Sequence, residues 1–183
     1  VASSHKTIVF DHKEITIQTH AWEAGAVATA VQPTKYVNRP IDLVQGMHLG
    51  YFPEAVVGRQ IIYIKPDLFV VVDALMHEGE HEVDRYFYLA PNITSHLGPQ
   101  TVGLDSPQGR LVDMYFTTPV ELTTTPTVIS QTYNEITPTT FLRANSTISD
   151  SQILPVVLHC SAAPITVEEV PVADMNGTVI SDR

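Results

Sequence analysis

GRQIIYIKPDLFVVVD, residues 58–73, is the most apolar stretch of the chain and decides its fold class. Residues 60–64 and 68–72 are rich in Ile, Val, Tyr and Phe, which favour β-strands. The Lys65-Pro66-Asp67 tripeptide separates them, because proline fixes φ for a tight turn. The pattern predicts an antiparallel hairpin with apolar side chains on both faces. We therefore expect this hairpin to lie in the middle of a stack of sheets.

Strand patterns recur on both sides of this hairpin. Residues 7–10 and 14–19 flank a short polar turn and predict an opening hairpin. Residues 82–89 follow the tight turn at Glu78-Gly79 and predict a third strand that pairs back to complete a meander. Prolines 119, 126 and 138 favour edge positions for the strands between them, because proline cannot donate to a sheet. The other predicted strands are residues 43–49, 100–105, 110–116, 120–122, 127–132, 153–159 and 166–170, with a loop at 33–40.

About a dozen such strands predict an all-β fold, a sandwich or a barrel. The best helical candidate, Trp22 to Val31, is short, contains Gly25 and runs into Pro33. Neither an internal repeat nor a domain boundary is evident. We expect residues 1–183 to form a single domain.

Composition and charge exclude several classes of function. Residues 1–65 carry six Lys and Arg and five Asp and Glu, whereas residues 66–183 carry four and fifteen, so the net charge of −10 lies in the second part. A surplus of carboxylates repels polyanions, which argues against nucleic acid and against unaided binding of a sulfated polysaccharide. No stretch approaches the roughly 20 apolar residues that span a bilayer. The opening VASSHKT is neither a signal peptide nor a start methionine, so we expect a piece of a longer polypeptide.

One pentapeptide, His77-Glu78-Gly79-Glu80-His81, matches the H-E-x-x-H signature of zinc proteases. That signature works because a helix places both histidines on one face, with the glutamate beside them as general base. Here the pentapeptide lies between two predicted strands and has glycine at its centre. We therefore interpret it as an acidic, solvated turn, with a weak adventitious metal site as the alternative.

A few other residues could bind a ligand. His5 lies at the edge of a predicted strand and is the better metal candidate, although a metal site needs about three or four protein ligands. Trp22, His48 and Tyr51 could form a sugar-stacking surface, or could simply pack in the core. Cys160, the one cysteine, ends an apolar run and is interpreted as a packed small hydrophobe rather than a nucleophile.

Four stretches resemble the heparinase II/III-type polysaccharide lyases. Residues 3–11, SSHKTIVFD, resemble their S-x-H-N-T strand, with Lys6 in place of the usual asparagine. Residues 58–81, GRQIIYIKPDLFVVVDALMHEGEH, resemble their arginine-bearing strand, Lys-Pro-Asp turn and "GEH" continuation. Ser130-x-x-Tyr133 and the strand at 154–160 resemble later motifs. The resemblance extends from His5 to Cys160, with the central stretch the most specific.

The resemblance implies an N-terminal α/α toroid followed by a large antiparallel multi-stranded β-sandwich, to which this chain corresponds. It implies β-elimination at a uronic acid, in which the carboxylate is neutralised, the C5 proton is abstracted and the leaving oxygen is protonated. The catalytic residues then come from the toroid and from a strand upstream, so none lies in this chain. His5 matches a ligand of a divalent metal, zinc, whose other ligands also lie upstream. The resemblance further implies a bacterial protein that is secreted, periplasmic or at the cell surface.

Three hypotheses follow. In the first, the chain is the catalytically silent C-terminal sandwich of a lyase that acts on an acidic, uronate-containing polysaccharide together with its toroid. In the second, it is a stand-alone carbohydrate-binding or structural module. In the third, it is a metalloprotease that uses His77 and His81, which requires a helix at those residues.

Overall fold

The computed structural model describes residues 8–13, 17–20, 23–26, 30–130, 135–161, 165–167, 172–173 and 179–180. These residues contain sixteen β-strands and no helix. The strands are β1 (Ile8–Phe10), β2 (Ile17–His20), β3 (Glu23–Ala26), β4 (Ala30–Tyr36), β5 (Ile41–His48), β6 (Val56–Ile64), β7 (Leu68–Met76), β8 (Glu80–Tyr88), β9 (Thr94–Leu97), β10 (Thr101–Ser106), β11 (Gly109–Phe116), β12 (Glu121–Ile129), β13 (Thr137–Ser149), β14 (Gln152–His159), β15 (Val172–Ala173) and β16 (Val179–Ile180).

Two sheets make up the body of the fold. The large sheet has eight strands in the order β4-β5-β6-β7-β14-β11-β10-β9, and the small sheet has four in the order β1-β8-β13-β12. Every neighbouring pair is antiparallel. The all-β sandwich is therefore confirmed, and its central hairpin is β6–β7, joined at Lys65 to Asp67 as predicted.

Two predicted strand pairings are wrong. β1 pairs with β8 in the small sheet and not with the strand that follows it, while β2 pairs with β3. β8 does not complete a meander with β7, because the chain crosses from the large to the small sheet between Met76 and Glu80. The free edge of β7 is taken by β14, with Val156 opposite Val71 and Leu154 opposite Asp73. The residues predicted to form a hairpin turn, Glu78 and Gly79, therefore connect two different sheets.

Several boundaries also differ from expectation. β13, the longest described strand, was not predicted, and the described residues 120–130 hold one strand, β12, in place of two. β12 and β4 are edge strands that contain Pro126 and Pro33, which agrees with the rule for edge prolines, but Pro33 was placed in a loop. The helical candidate at 22–31 contains β3 and the start of β4. Thr166 and Val167 lie outside any strand, and the rest of that predicted strand lies outside the described residues.

The core lies between the two sheets in two clusters. The first joins β1, the start of β6 and the end of β7 to β8 and β13. The second joins β10, β11 and β14 to β13 and to the residues after β8. The first cluster contains Ile8, Phe10, Tyr51, Ala55, Val57, Leu75, Val83, Ile148 and Leu154, and the second contains Leu89, Val102, Leu104, Met114, Phe116, Leu142, Ala144 and Val156.

The small sheet covers only part of the large one. Val156, Val71, Ile61 and Val44 lie opposite one another in successive strands and therefore share one face. Val156 is fully buried and Val71 is half-buried, whereas Ile61 is 40% exposed and Val44 is 45% exposed. The central hairpin thus lies in the middle of a sheet, as predicted, but its faces are only partly covered by the described residues.

Three charged side chains meet inside the sandwich. Arg59 donates from Nε and Nη2 to the two carboxylate oxygens of Asp73, at 2.6 and 2.9 Å. Arg85 is fully buried, donates from Nη1 to the carbonyl oxygen of Leu154 at 3.1 Å and lies 5.1 Å from the ring centroid of Phe116. Burial lowers the pKa of Arg85 to about 10, although the charge of Asp73 opposes this shift.

We expect Asp73→Asn to destabilise the fold strongly. The amide leaves two guanidinium groups without a buried counter-charge, a loss of about 3–5 kcal/mol. Arg85→Met keeps the length of the side chain and removes a buried charge, so it is expected to cost less than about 1 kcal/mol or to stabilise. Urea unfolding at neutral pH measures both changes. Equal losses in the two variants would contradict this view of the cluster.

Candidate functional site

The H-E-x-x-H pentapeptide forms the crossing between the two sheets. Gly79 has a φ of 81°, a left-handed conformation that favours glycine, and its N–H donates to Asp150 Oδ1 at 3.1 Å. Asp150 in turn donates its backbone N–H to the carbonyl oxygen of Gly79 at 3.0 Å. The turn is therefore tied to the β13–β14 connection. This geometry confirms the predicted turn and excludes the metalloprotease hypothesis, which requires a helix.

The two histidines of the pentapeptide nevertheless meet in space. Their ring centroids are 5.1 Å apart at an interplanar angle of 85°, and Phe10 packs against both rings. His77 is 7% exposed, and neither of its ring nitrogens has a hydrogen-bond partner among the described residues. Burial, with the nearby charge of His81, lowers the pKa of His77. The predicted solvated turn is therefore wrong for His77, because its ring is part of the interior.

A cavity of about 630 Å³ lies beside this pair. It is lined by Pro53, Glu54, Met76, His77, Glu78, His81 and Ser151. Both nitrogens of His77 are shielded from solvent, so they do not reach into the cavity. The described part of the chain contains no group of three or more His, Cys, Asp or Glu residues arranged to hold a metal ion.

A smaller cavity, of about 280 Å³, lies at the other end of the large sheet, between β9, β10 and β11. Arg110 spans it, with Nε 2.9 Å from Asp105 and Nη1 2.9 Å from Asp113. The guanidinium lies over Gly103, where a Cβ atom would overlap it. His96 Nε2 lies 2.9 Å from Asp105. These charged groups are already paired with one another, so the cavity is not an evident catalytic site.

The sequence-predicted site residues are not all brought together. Tyr51 is 5% exposed, packs against Phe10 and His48, and holds its hydroxyl 3.2 Å from the carbonyl oxygens of Ile8 and Lys13. His48 is half-buried, its Nδ1 accepts from the N–H of Gly50, and burial lowers its pKa. His5 and Trp22 lie outside the described residues. A role in sugar binding or metal binding therefore stays a prediction for this set.

Asp84 on β8 was missed by sequence reasoning. It is 1% exposed and accepts hydrogen bonds from Arg143 Nε at 2.7 Å and Asn145 Nδ2 at 2.8 Å. Burial opposes ionisation, but these donors hold the pKa of Asp84 below its ordinary value. No local signal could reveal this site, because it requires β8 to pair with β13, a strand that was itself missed.

Cys160 does not fit its predicted role. The residue follows β14 and is exposed rather than packed in the core. Its backbone N–H donates to the carbonyl oxygen of Asp67 at 2.8 Å. Partial desolvation, with the charge of Asp67, raises the pKa of the thiol, which disfavours the thiolate that a nucleophile needs.

We expect His77 to make the fold sensitive to acid. Below an ordinary histidine pKa of 6.5 the unfolded chain binds a proton that the folded chain does not, because burial lowers the pKa of His77. The free energy of unfolding should therefore decrease as the pH falls through this range. His77→Phe keeps a buried ring and should flatten this decrease in urea unfolding measured from about pH 7 to about pH 5.

His77→Asn is the matched control for that titration. The amide cannot titrate but leaves a buried polar group without a partner, so the fold should be less stable at every pH while showing the same flattened dependence. An acid-side slope identical to that of the unsubstituted chain in both variants would show that His77 does not titrate as inferred.

Comparison with known proteins identifies the architecture. The sequence model of the family described as "Heparinase II/III-like, C-terminal" matches residues 2–165. The fold is similar to a heparan sulfate lyase, HepC from Pedobacter heparinus, with a TM-score of 0.70 at 14% identity over 92% of this chain and 25% of that chain. It is also similar to a heparinase III, with a TM-score of 0.67 at 13% identity over 86% and 24% of the two chains.

The extent of these matches is informative. The chain spans about a quarter of the length of the solved structures that it matches. A comparison with curated proteins found no match. Because the family match covers nearly the whole chain, from the S-x-H motif through β14, the chain belongs to the heparinase II/III-like C-terminal domain family.

Proposed function

We propose that this chain is the C-terminal β-sandwich of a polysaccharide lyase that cleaves a uronate-containing polysaccharide by β-elimination. The single observation that carries the proposal is the family match over residues 2–165, together with a shared fold over 92% of the chain. The sandwich braces and partly covers the substrate cleft of an N-terminal α/α toroid. Alone, it is catalytically silent.

The uncovered part of the large sheet supports such a partner. Val44 and Ile61 are 45% and 40% exposed, and they lie opposite each other on neighbouring strands, β5 and β6, on the same face of the large sheet. Exposed apolar side chains grouped in this way are typical of surfaces that contact another protein body. In the proposed protein, the remaining three quarters of a lyase-length chain supply that body.

The silent role depends on where the reacting groups of the proposed enzyme lie. β-Elimination needs a group that neutralises the carboxylate, a base for the C5 proton and an acid for the leaving oxygen. Following the family resemblance, we place the reacting groups of the proposed enzyme in the toroid and in the strand upstream.

The site and setting of the proposed enzyme follow the same reasoning. His5 is proposed as one ligand of a divalent metal, zinc, with the other ligands upstream. Trp22, His48 and Tyr51 remain proposed contacts to the acidic polysaccharide, although the burial of Tyr51 leaves it little surface for stacking. We propose a bacterial enzyme that is secreted, periplasmic or at the cell surface. No helix in the described residues has the length and apolar character needed to cross a membrane.

The activity test compares the intact natural polypeptide with the 183-residue chain. We expect the intact polypeptide to release products with the ultraviolet absorbance of unsaturated uronates from an acidic polysaccharide. The isolated chain should remain at background, because it lacks the groups that abstract and return the proton. Lyase activity in the isolated chain would overturn the silent role, and an intact polypeptide of about 20.2 kDa would overturn the lyase proposal itself.

The metal proposal is tested by elemental analysis of the intact polypeptide. We expect about one zinc ion per chain, and a loss of most of it in His5→Ala, since each ligand contributes strongly to a site of about four. His96→Ala is the matched control, because His96 is an exposed histidine paired with Asp105. Equal zinc content in the two variants would remove His5 from the ligand set.

A further inference from the structure

The turn after β1 and the start of β8 exchange histidine–carboxylate pairs in both directions. His81 Nδ1, on β8, lies 2.7 Å from Asp11 Oδ2 in the turn. His12 Nε2, in the turn, lies 2.7 Å from Glu82 Oε2, and its Nδ1 lies 3.2 Å from Asp84 Oδ2. We call these five residues, Asp11, His12, His81, Glu82 and Asp84, the histidine clasp.

The surroundings of His81 require its protonated form. Its Nε2 lies 2.9 Å from the carbonyl oxygen of Glu78, which can only accept a hydrogen bond. Its Nδ1 faces the carboxylate of Asp11. Both ring nitrogens therefore donate, which makes the ring an imidazolium. Phe10 lies against it with ring centroids 4.5 Å apart, a contact that also favours a cation.

The clasp holds a strand that has few other attachments within the small sheet. β1 has three residues, lies at the edge of the small sheet and pairs there only with β8 in the described chain. Asp11 extends this pairing, because its N–H donates to the carbonyl oxygen of Glu82 and its Oδ1 accepts from the N–H of Glu82. Asp11 and His12 both have positive φ values, 48° and 57°, in a conformation that non-glycine residues seldom adopt. The side-chain pairs therefore compensate for an unfavourable backbone.

We propose that the histidine clasp is a pH-dependent device, which fastens β1 and the following turn to β8 at mildly acidic pH and loosens them when His81 loses its proton. The deprotonated ring has one N–H, so it must give up either Asp11 or the carbonyl of Glu78. Release of Asp11 also removes the reciprocal support of the turn that carries His12.

Other charged groups packed around His81 and its partners also affect the protonation of the clasp. Lys13 approaches from the turn and is paired with Glu54, and His77 and Glu78 approach from the sheet crossing, with Asp150 near His77. Arg143 and Asn145 approach Asp84 from β13. The hydrogen bond to Asp11 raises the pKa of His81, while the nearby Lys13 opposes the shift. Burial opposes ionisation of Asp11, but the bonds from His81 and Glu82 lower its pKa overall.

The signs of these shifts define the working range. Because the pKa of His81 is raised, its contribution is complete below 6.5 and is lost as the pH rises through the raised value. Because the pKa of Asp11 is lowered, its contribution is present above 3.8 and is lost as the pH falls through the lowered value. The clasp is therefore strongest between these limits, in mildly acidic solution.

Hydrogen exchange measured by mass spectrometry on the intact natural polypeptide tests the proposal. Exchange at the Cε1 hydrogen of His81 as a function of pH should report a pKa above 6.5. Asp11→Asn should lower that pKa by about one unit, a tenfold loss of proton affinity. Protection of the amides at residues 8–11, corrected for intrinsic exchange, should fall about tenfold or more between about pH 5 and about pH 9.

Two variants separate the clasp from general stability. His81→Phe keeps the ring beside Phe10 but cannot titrate, so protection at residues 8–11 should be low and independent of pH. His96→Gln changes a histidine–aspartate pair at the far edge of the large sheet and should leave that protection unchanged. A pKa for His81 at or below 6.5 in the unsubstituted protein overturns the proposal, even if a variant fails to fold. Protection that does not change with pH in the unsubstituted protein also overturns it.

Discussion

A sheet of eight strands cannot be covered by a sheet of four, and much of this structure follows from that inequality. The four strands of the small sheet lie over the ends of β6 and β7 and over β14, β11 and β10, where both clusters of buried apolar residues are found. Moving along the large sheet toward β5, side chains of the same face become steadily more exposed. β5 and β6 carry more apolar side chains than this sandwich can bury. This excess is the physical reason for proposing that a further domain packs against these strands.

The partial covering of the large sheet by the small one also explains where the buried charges lie. Arg59 lies on β6, where coverage is incomplete, and reaches toward Asp73, which is fully buried on β7. Arg85 enters the space between the sheets from the opposite side, on β8. One carboxylate thus faces two guanidinium groups, and a cation is left inside that makes one hydrogen bond to backbone and contacts an aromatic face. Such a cluster restricts how the two sheets can be placed relative to each other, since sliding either one would separate opposite charges.

The sequence predicted what depends on neighbours along the chain. The β6–β7 hairpin, the strands at 100–105 and 110–116 and the absence of a helix at His77 to His81 all follow from local turn chemistry and residue type. The course of the chain after Met76 does not, because β7 could accept either β8 or β14 at its edge and both are apolar. β13 was overlooked because its inward positions include the small Ala144 and the polar Ser146. Bulky apolar side chains at such positions are what usually indicate a strand.

Prediction of the candidate site was limited by the same dependence on distant pairing. The clasp needs β1 to lie beside β8, seventy residues later, so Asp11 and His12 were placed in a plain polar turn. Asp84 needs β13 for the same reason. His5 was chosen as a metal candidate from its position before a strand, and its expected partner ligands came only from the resemblance, because a single histidine has no distinctive pattern of its own.

The uncovered part of the large sheet belongs to the part of the sequence with almost no net charge, which bears on the proposed enzyme. The uncovered strands β4, β5 and β6 belong to residues 1–65, whose basic and acidic residues nearly cancel. The acidic surplus of the sequence lies in residues 66–183. A domain that binds a polyanion would meet least repulsion if it packed against the uncovered end, where apolar side chains are also available. Under the proposed function, the sandwich thus presents its nearly neutral, apolar end to the catalytic body.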